Sequence, residues 1–262
     1  MLFFAPPAAW SLFALAIALI ACWEWSRMCG FTPAGQSAYL LASGMVGGYL
    51  WLLYLRHLPG NFTAAATTAF ILATAFWFLA APYWLARRLR PSPSMCGVAG
   101  WLVAWPAWFA LVVLRDLGPW LLLALAALVW VADIAAYFAG KAFGRRRLAP
   151  AISPGKTWEG VIGGMAGVVA YGVVLAWIAN SQPTPLTSVF APGRGVPAVL
   201  ALLLLTAVSV VGDLFESWMK RGAGLKDSSG LLPGHGGILD RIDALTSTLP
   251  VAAFALYLTR AA

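Results

Sequence analysis

Charge is scarce in this chain. Only 10% of its 262 residues are Asp, Glu, Lys or Arg, less than half the roughly 25% usual in soluble domains. With 61% hydrophobic residues and a mean hydropathy of +0.82, this shortage excludes a soluble globular domain. The short alternating segments of a membrane barrel are also missing. Apolar residues come instead in long runs, each near the ~20 residues that cross a bilayer as helix. No basic segment precedes the first run, so an anchor is expected there rather than a cleaved signal peptide. Cysteines number three, Cys22, Cys29 and Cys96, without a Cys-x-x-Cys spacing. Ordinary packing is expected of them, with no disulfide framework or zinc site.

What is present predicts an all-α fold, a polytopic integral membrane helical bundle. About eight spans are expected, at 7–25, 37–55, 61–85, 97–114, 118–140, 157–180, 196–219 and 238–259. They form a single membrane domain, 1–262, with N-terminal helices in 1–117 and the chemistry-bearing helices and loops in 118–262. Numbering the connections alternately puts Arg27, Arg87, Arg88, Arg90, Lys141, Arg145, Arg146, Arg147, Lys156, Lys220, Arg221 and Lys226 on one side. The other side receives only Arg56, Arg115, Arg194 and Arg260. The basic-rich side is therefore expected to be cytoplasmic, with both termini outward. Topology and affinity for anionic lipid account for Arg87–Arg90 and for Arg145–Arg147, but not for the acids.

Six acids, Glu24, Asp133, Asp213, Glu216, Asp240 and Asp243, fall within apolar spans or at their cytoplasmic edge. Each costs several kcal/mol there unless it meets water, a cation or a partner. Asp213, Glu216, Ser217 and Lys220 stand at i, i+3, i+4 and i+7, one stripe of a helix. Asp240 and Asp243 open the next helix three residues apart. Facing carboxylate stripes would offer a hard oxygen site suited to magnesium; the competing reading is that they pair only with Lys220, Arg221 and Arg241. Glu24, in CWEWSR, is expected to pair locally with Arg27.

Between the two acidic helices runs GAGLKDSSGLLPGHGG. Its glycines, Gly234, Gly236 and Gly237 among them, allow close backbone approach and anion-binding turns, and Gly236-Gly237 leads into a helix N-terminus. With Lys220, Arg221, Lys226 and His235 nearby, this composition suits a polyphosphate; His235 serves alternatively to stabilise the turn. A second loop, GKAFGRRRLAPAISPGKTWEG, lies just beyond Asp133 and Tyr137. Its PGKT is no Walker A motif, because position 150 is proline where glycine is needed. Lys156 and Thr157 could still contact phosphate, since Ser153-Pro154-Gly155 reads as a turn entering a helix. Gly160, Gly163, Gly164 and Gly167, like Gly44 and Gly48, are expected at helix-packing positions.

The run Ser217 to Asp243, S-W-M-K-R-x4-K-D-x-S-x-L-L-P-x-H-G-G-I-L-D-R-I-D, resembles the signature of the CDP-diacylglycerol synthases, the phosphatidate cytidylyltransferases, unbroken over 27 residues. The resemblance continues upstream in Gly212–Ser217, Leu148–Gly160 and the Asp133 segment, roughly the second half of the chain. The first half is similar only loosely, through CWEW-x-R-x-x-GF, and opens directly with LFFAPPAAW where bacterial members usually carry a basic segment and an extra span. The resemblance implies transfer of CMP from CTP to phosphatidate at the cytoplasmic face of a bacterial inner membrane. It implies magnesium, with or without a second cation, a homodimer, membrane lipids as partners and no nucleic acid. Metal ligands would come from Asp213, Glu216, Asp240 and Asp243. Lys220, Arg221, Lys226, Asp227 and His235 would join them in the catalytic group. Asp133, Ser153, Lys156, Thr157, Ser217, Gly234, Gly236, Gly237 and Arg241 would line the substrate site.

Two other classes of membrane protein share some of these features. A cation- or proton-coupled transporter also carries intramembrane acids, but its internal repeats have no evident echo here. A CDP-alcohol phosphotransferase would show DG-x2-AR-x8-G-x3-D-x3-D, which is absent. A purely structural scaffold would not explain six intramembrane acids.

Overall fold

The computed structural model describes residues 1–56, 59–181 and 195–261, apart from the side chains at 59, 179–181 and 259–261. Arg194 and the Arg260 side chain, two of the basic residues used for the topology, lie outside the described residues.

Eight helical rods run through the described residues. They are α1 (Pro7–Ser26), α2 (Pro33–Leu55), α3 (Pro59–Ala75) continuing through a π-helical turn (Phe76–Ala80) into α4 (Ala81–Arg87), α5 (Pro93–Leu117), α6 (Pro119–Phe143), α7 (Trp158–Ser181), α8 (Gly195–Gly222) and α9 (Leu239–Ala261). Several open on proline in the first turn, where the missing N–H costs nothing. Seven rods are long and apolar enough to cross a membrane. The eighth, α9, carries Asp240, Arg241 and Asp243 on its first turns and packs against α8, α5 and α3. The chain is thus a polytopic helical membrane protein.

Helix α5 is the centre of the bundle, with most of its apolar stretch buried, whereas little of that of α7 is. Trp10 and Trp108 fasten α1 to α5 through indole hydrogen bonds to Leu111 O and Ser11 O, 2.9 and 3.1 Å. Helices α6 and α7 meet through a small-residue seam. Added side-chain carbon at Gly163 or Gly167 would strike Ala139 or Ala135, and at Gly160 or Gly164 it would press the carbonyls of Ala136 or Ala132. On α2 the packing glycine is Gly47, between Leu15 and Trp105. Gly44 and Gly48, expected to pack, meet no neighbouring atom among the described residues because they lie on other faces of the helix.

Phe215, wholly buried in α8, sits in a cluster with Trp25, Phe76, Trp77, Trp84 and Trp218, ring centroids 5.3–6.2 Å away. The wider π turn places Phe76 and Trp77 there together. A two-stranded hairpin, β1 (Arg147–Ala149) against β2 (Ser153–Thr157), links α6 to α7. The alternate ends of the rods gather as the connections require. At one end Arg27 reaches Ser228 O. At the other, Arg115 holds the Leu2 and Ala5 carbonyls and Tyr54 donates to Asp116 at 2.8 Å.

Candidate active site

The site lies in the seam where α8 and α9 pack, at the end of the bundle shared with the hairpin. Close approach of the two helices depends on Gly212, whose α-carbon faces Ser247 and the Asp243 carbonyl. Asp213 stands nine residues before the end of α8, so it lies roughly 14 Å below that end. Lys156 reaches down from β2 and forms an ion pair with it, and Ser217 donates to its Oδ1 at 3.3 Å. Asp133 of α6 is accessible on the same side and within electrostatic reach of both Asp213 and Lys156. Asp243 is within reach of Asp213, Glu216 and Lys156.

Behind this group Glu216 is 3% exposed, and neither of its carboxylate oxygens has a hydrogen-bond partner among the described residues. Lys220 Nζ lies 3.3 Å from Glu216 Oε1, a charge contact, and 2.5 Å from Asp240 Oδ1. The expected pairing of acids with Lys220 is therefore real for Glu216 and Asp240. Asp240 is fully engaged: its Oδ2 accepts from Ser228 N and Oγ, both 2.9 Å, and from Gly237 N, 2.7 Å. Asp213, Glu216, Asp240 and Asp243 all offer hard carboxylate oxygen, the donor set suited to magnesium, and Glu216 Oε2, buried and accepting no hydrogen bond among the described residues, fits a cation. As they stand, no three Asp, Glu, His or Cys side chains among the described residues are drawn into a metal cage.

The glycine-rich loop is held by carboxylates rather than left open. Glu24, fully buried at the end of α1, accepts from Ser229 Oγ at 2.6 Å, Ile238 N at 2.9 Å and Leu239 N at 2.6 Å, and shares the single Ser228 Oγ proton, 3.2 Å away, with Asp240. It therefore satisfies the N-terminal amides of α9, which lacks a side-chain cap of its own just before Leu239. This corrects the expected Glu24–Arg27 pair: Arg27 instead donates to Ser228 O at 2.8 Å and lies over Trp23. It also corrects the expected anion-binding role of the Gly237 amide, which is taken by Asp240. Gly237 is required because a side chain would occupy the places of Ser228 Oγ and the Glu24 carboxylate. Gly236, at φ +80°, turns the chain into α9.

His235 is exposed, its Nδ1 3.1 Å from Pro233 O, and its own carbonyl accepts from Arg241 Nε and Nη2 at 3.1 and 2.6 Å. The turn-stabilising alternative for His235 fits this placement, and Arg241 braces the same turn. Thr157 is buried with its hydroxyl accepting from Gly160 N, a cap on α7. Ser153 lies on the hairpin opposite Ala149. Lys226, Asp227 and Gly234 are exposed on the loop. Arg221 projects away from the acid stripe into a cavity with Arg27, Arg88 and Arg90. Sequence reasoning missed Ser228, Ser229 and the loop role of Glu24. The one available signal was a helix beginning at GGILD without a capping side chain.

Fold and site together define a class: a polytopic helical membrane protein holding interleaved carboxylates and lysines at one end of its bundle. Its relatives narrow this. The cytidylyltransferase family model matches residues 1–259. The chain is 40% identical over 263 residues to a phosphatidate cytidylyltransferase of Pseudomonas aeruginosa, covering 95% of this chain and 88% of the relative. It is 40% identical over 252 residues to that of Brucella suis, covering 95% and 83%. With that of Haemophilus influenzae it shares 33% over 273 residues, covering 95% and 90%. The likeness extends over the N-terminal half as well as the second half. The chain belongs to the cytidylyltransferase family and is a nucleotidyltransferase.

Proposed function

We propose that this enzyme transfers CMP from CTP to phosphatidate, releasing pyrophosphate and giving CDP-diacylglycerol in phospholipid synthesis. The carrying observation is the α8–α9 seam, where Asp213, Glu216 and Asp243 meet Lys156 and Lys220 at membrane depth, in a chain whose relatives bear that activity as their name. A phosphatidate oxygen attacks the α-phosphorus of CTP while the bond to the β-phosphate breaks. A phosphomonoester's second pKa is about 6, so the nucleophile is already anionic near neutral pH and no general base is required. The difficulty is bringing two anions together, which positioning and charge neutralisation answer.

Lys156 and Lys220 are the cations that would meet the reacting phosphates, and Asp133 lines the same groove. Magnesium would be held by Asp213 and Asp243 with Glu216 behind them, and by Asp240 once its Oδ1 exchanges Lys220 for the ion. When bound, it supplies positive charge to the triphosphate and the departing pyrophosphate. The hairpin places Lys156 so that binding can exchange its partner Asp213 for phosphate oxygen. The active end faces the cytoplasm of a bacterial inner membrane, and the family resemblance carries a homodimer into the proposal.

The test is conversion of labelled CTP and phosphatidate by purified protein in lipid, with and without magnesium, beside Asp243→Asn. We expect magnesium-dependent product from wild type and a loss on the order of 100-fold or more in the variant. A fully active Asp243→Asn would overturn the ligand assignment, and an inactive, folded wild type would overturn the reaction.

A further inference from the structure

At the same end of the bundle, on the other side of α8, lies a cavity of about 630 Å³. On α8, Asp213, Glu216, Ser217 and Lys220 form one stripe, whereas Trp218, Arg221 and Gly222 face away from it toward this cavity. Four arginines line it: Arg27 from the end of α1, Arg88 and Arg90 beyond α4, and Arg221 from α8. Among the described residues no aspartate or glutamate lines it. Arg27 and Arg221 each donate to a backbone carbonyl, Ser228 O and Leu225 O. Those contacts orient the guanidinium groups and leave their charge uncompensated. Arg88 and Arg90 have no side-chain hydrogen bond or ion pair among the described residues.

A charge bias that only fixes topology scatters basic residues over a surface. Here three separate segments bring four like charges to one concavity, which repel unless an anion joins them. The backbone contributes too. Arg88, at φ +52°, is the only non-glycine residue with positive φ among the described residues. It ends α4 in a position that glycine usually takes. The backbone thus takes an uncommon conformation at a residue that lines the cavity. The rest of the wall is apolar, with Met28, Met219, Trp218 and Ile152. Ile152 comes from the loop between β1 and β2, so the hairpin that carries Lys156 also borders this cavity.

We propose that the arginine cavity is a second phosphate-binding site, separate from the carboxylate seam, and that it takes the phosphate headgroup of an anionic lipid. Guanidinium forks match phosphate oxygens in pairs, an apolar wall beside them suits glycerol and the start of an acyl chain, and basic pockets between membrane helices commonly hold such headgroups. The cavity alone carries this assignment, independently of the transfer reaction.

The experiment is calorimetric titration of the full-length protein in detergent, with EDTA present so that no divalent cation draws phosphate to the carboxylates. The probes are dihexanoyl phosphatidate and, separately, inorganic pyrophosphate. Wild type is expected to bind the lipid, and R88A/R90A to bind it about tenfold or more weakly. Should that variant fail to fold, R88K/R90K keeps the charge and loses the paired geometry, and is expected to weaken binding by about threefold or more. Unchanged affinity in folded variants, or no binding by wild type, overturns the site. Pyrophosphate that binds as tightly as the lipid and competes with it keeps the phosphate site but overturns its lipid assignment. Because the readout is binding without metal, an inactive enzyme would leave this result standing.

Discussion

Glu24 accepts three hydrogen bonds, and a share of a fourth, from residues more than two hundred positions away in the chain. Burying a carboxylate costs several kcal/mol. Hydrogen bonds to a charged group, worth roughly 1.5–3 kcal/mol each, offset this. Glu24→Gln keeps the size but turns one acceptor into a donor that faces donors already in place. We expect it to lower stability by about 2–4 kcal/mol and to cut transferase activity, measured by thermal melting beside the assay. A melting temperature and activity equal to wild type would show that the loop holds its own shape. Sequence reasoning found the acid but not its partners, because spacing reveals i, i+3 neighbours and says nothing about an amide on another helix. It did find the seam stripe of Asp213, Glu216, Ser217 and Lys220, since helical geometry alone puts them on one face.

At the scale of elements, helix positions were legible because a bilayer demands long apolar runs; the expected spans agree with the rods to within a few residues at most ends. Two features were not. The hairpin at Arg147–Thr157 reads as a turn into a helix, since three- and five-residue strands are too short to show alternation. Which glycines pack also depends on helix rotation. Gly160, Gly163, Gly164 and Gly167 were legible because their spacing repeats along one face. On α2 the choice among Gly44, Gly47 and Gly48 was settled only by Leu15 and Trp105. Adjacent substitutions test this. Gly47→Ala presses both neighbours at 2.8 Å and is expected to destabilise by about 1–3 kcal/mol. Gly48→Ala, in open space, is expected to be neutral or to stabilise by about 0.5–1 kcal/mol. Unfolding both in detergent by denaturant reads the difference, and equal effects would refute the packing assignment.

At the scale of the molecule, the basic residues among those described sort by end, and both the carboxylate seam and the arginine cavity sit at the basic end. The three native cysteines are buried, so an introduced thiol reports alone. Phe4, 93% exposed, lies near the end that holds Arg115, and Ser94 opens α5 at the other. In right-side-out vesicles a membrane-impermeant maleimide is expected to label Phe4→Cys and to spare Ser94→Cys; the reverse pattern would invert the orientation. Phe215, seated among five aromatic rings, works like a key in a slot and fixes the angular phase of α8. A residue inserted just after it would rotate the last turns of the helix by about 100°, carrying Glu216 and Lys220 out of the seam and Arg221 out of its cavity together. The two sides of this helix are therefore geared: neither can be retuned by twisting α8 without mistuning the other.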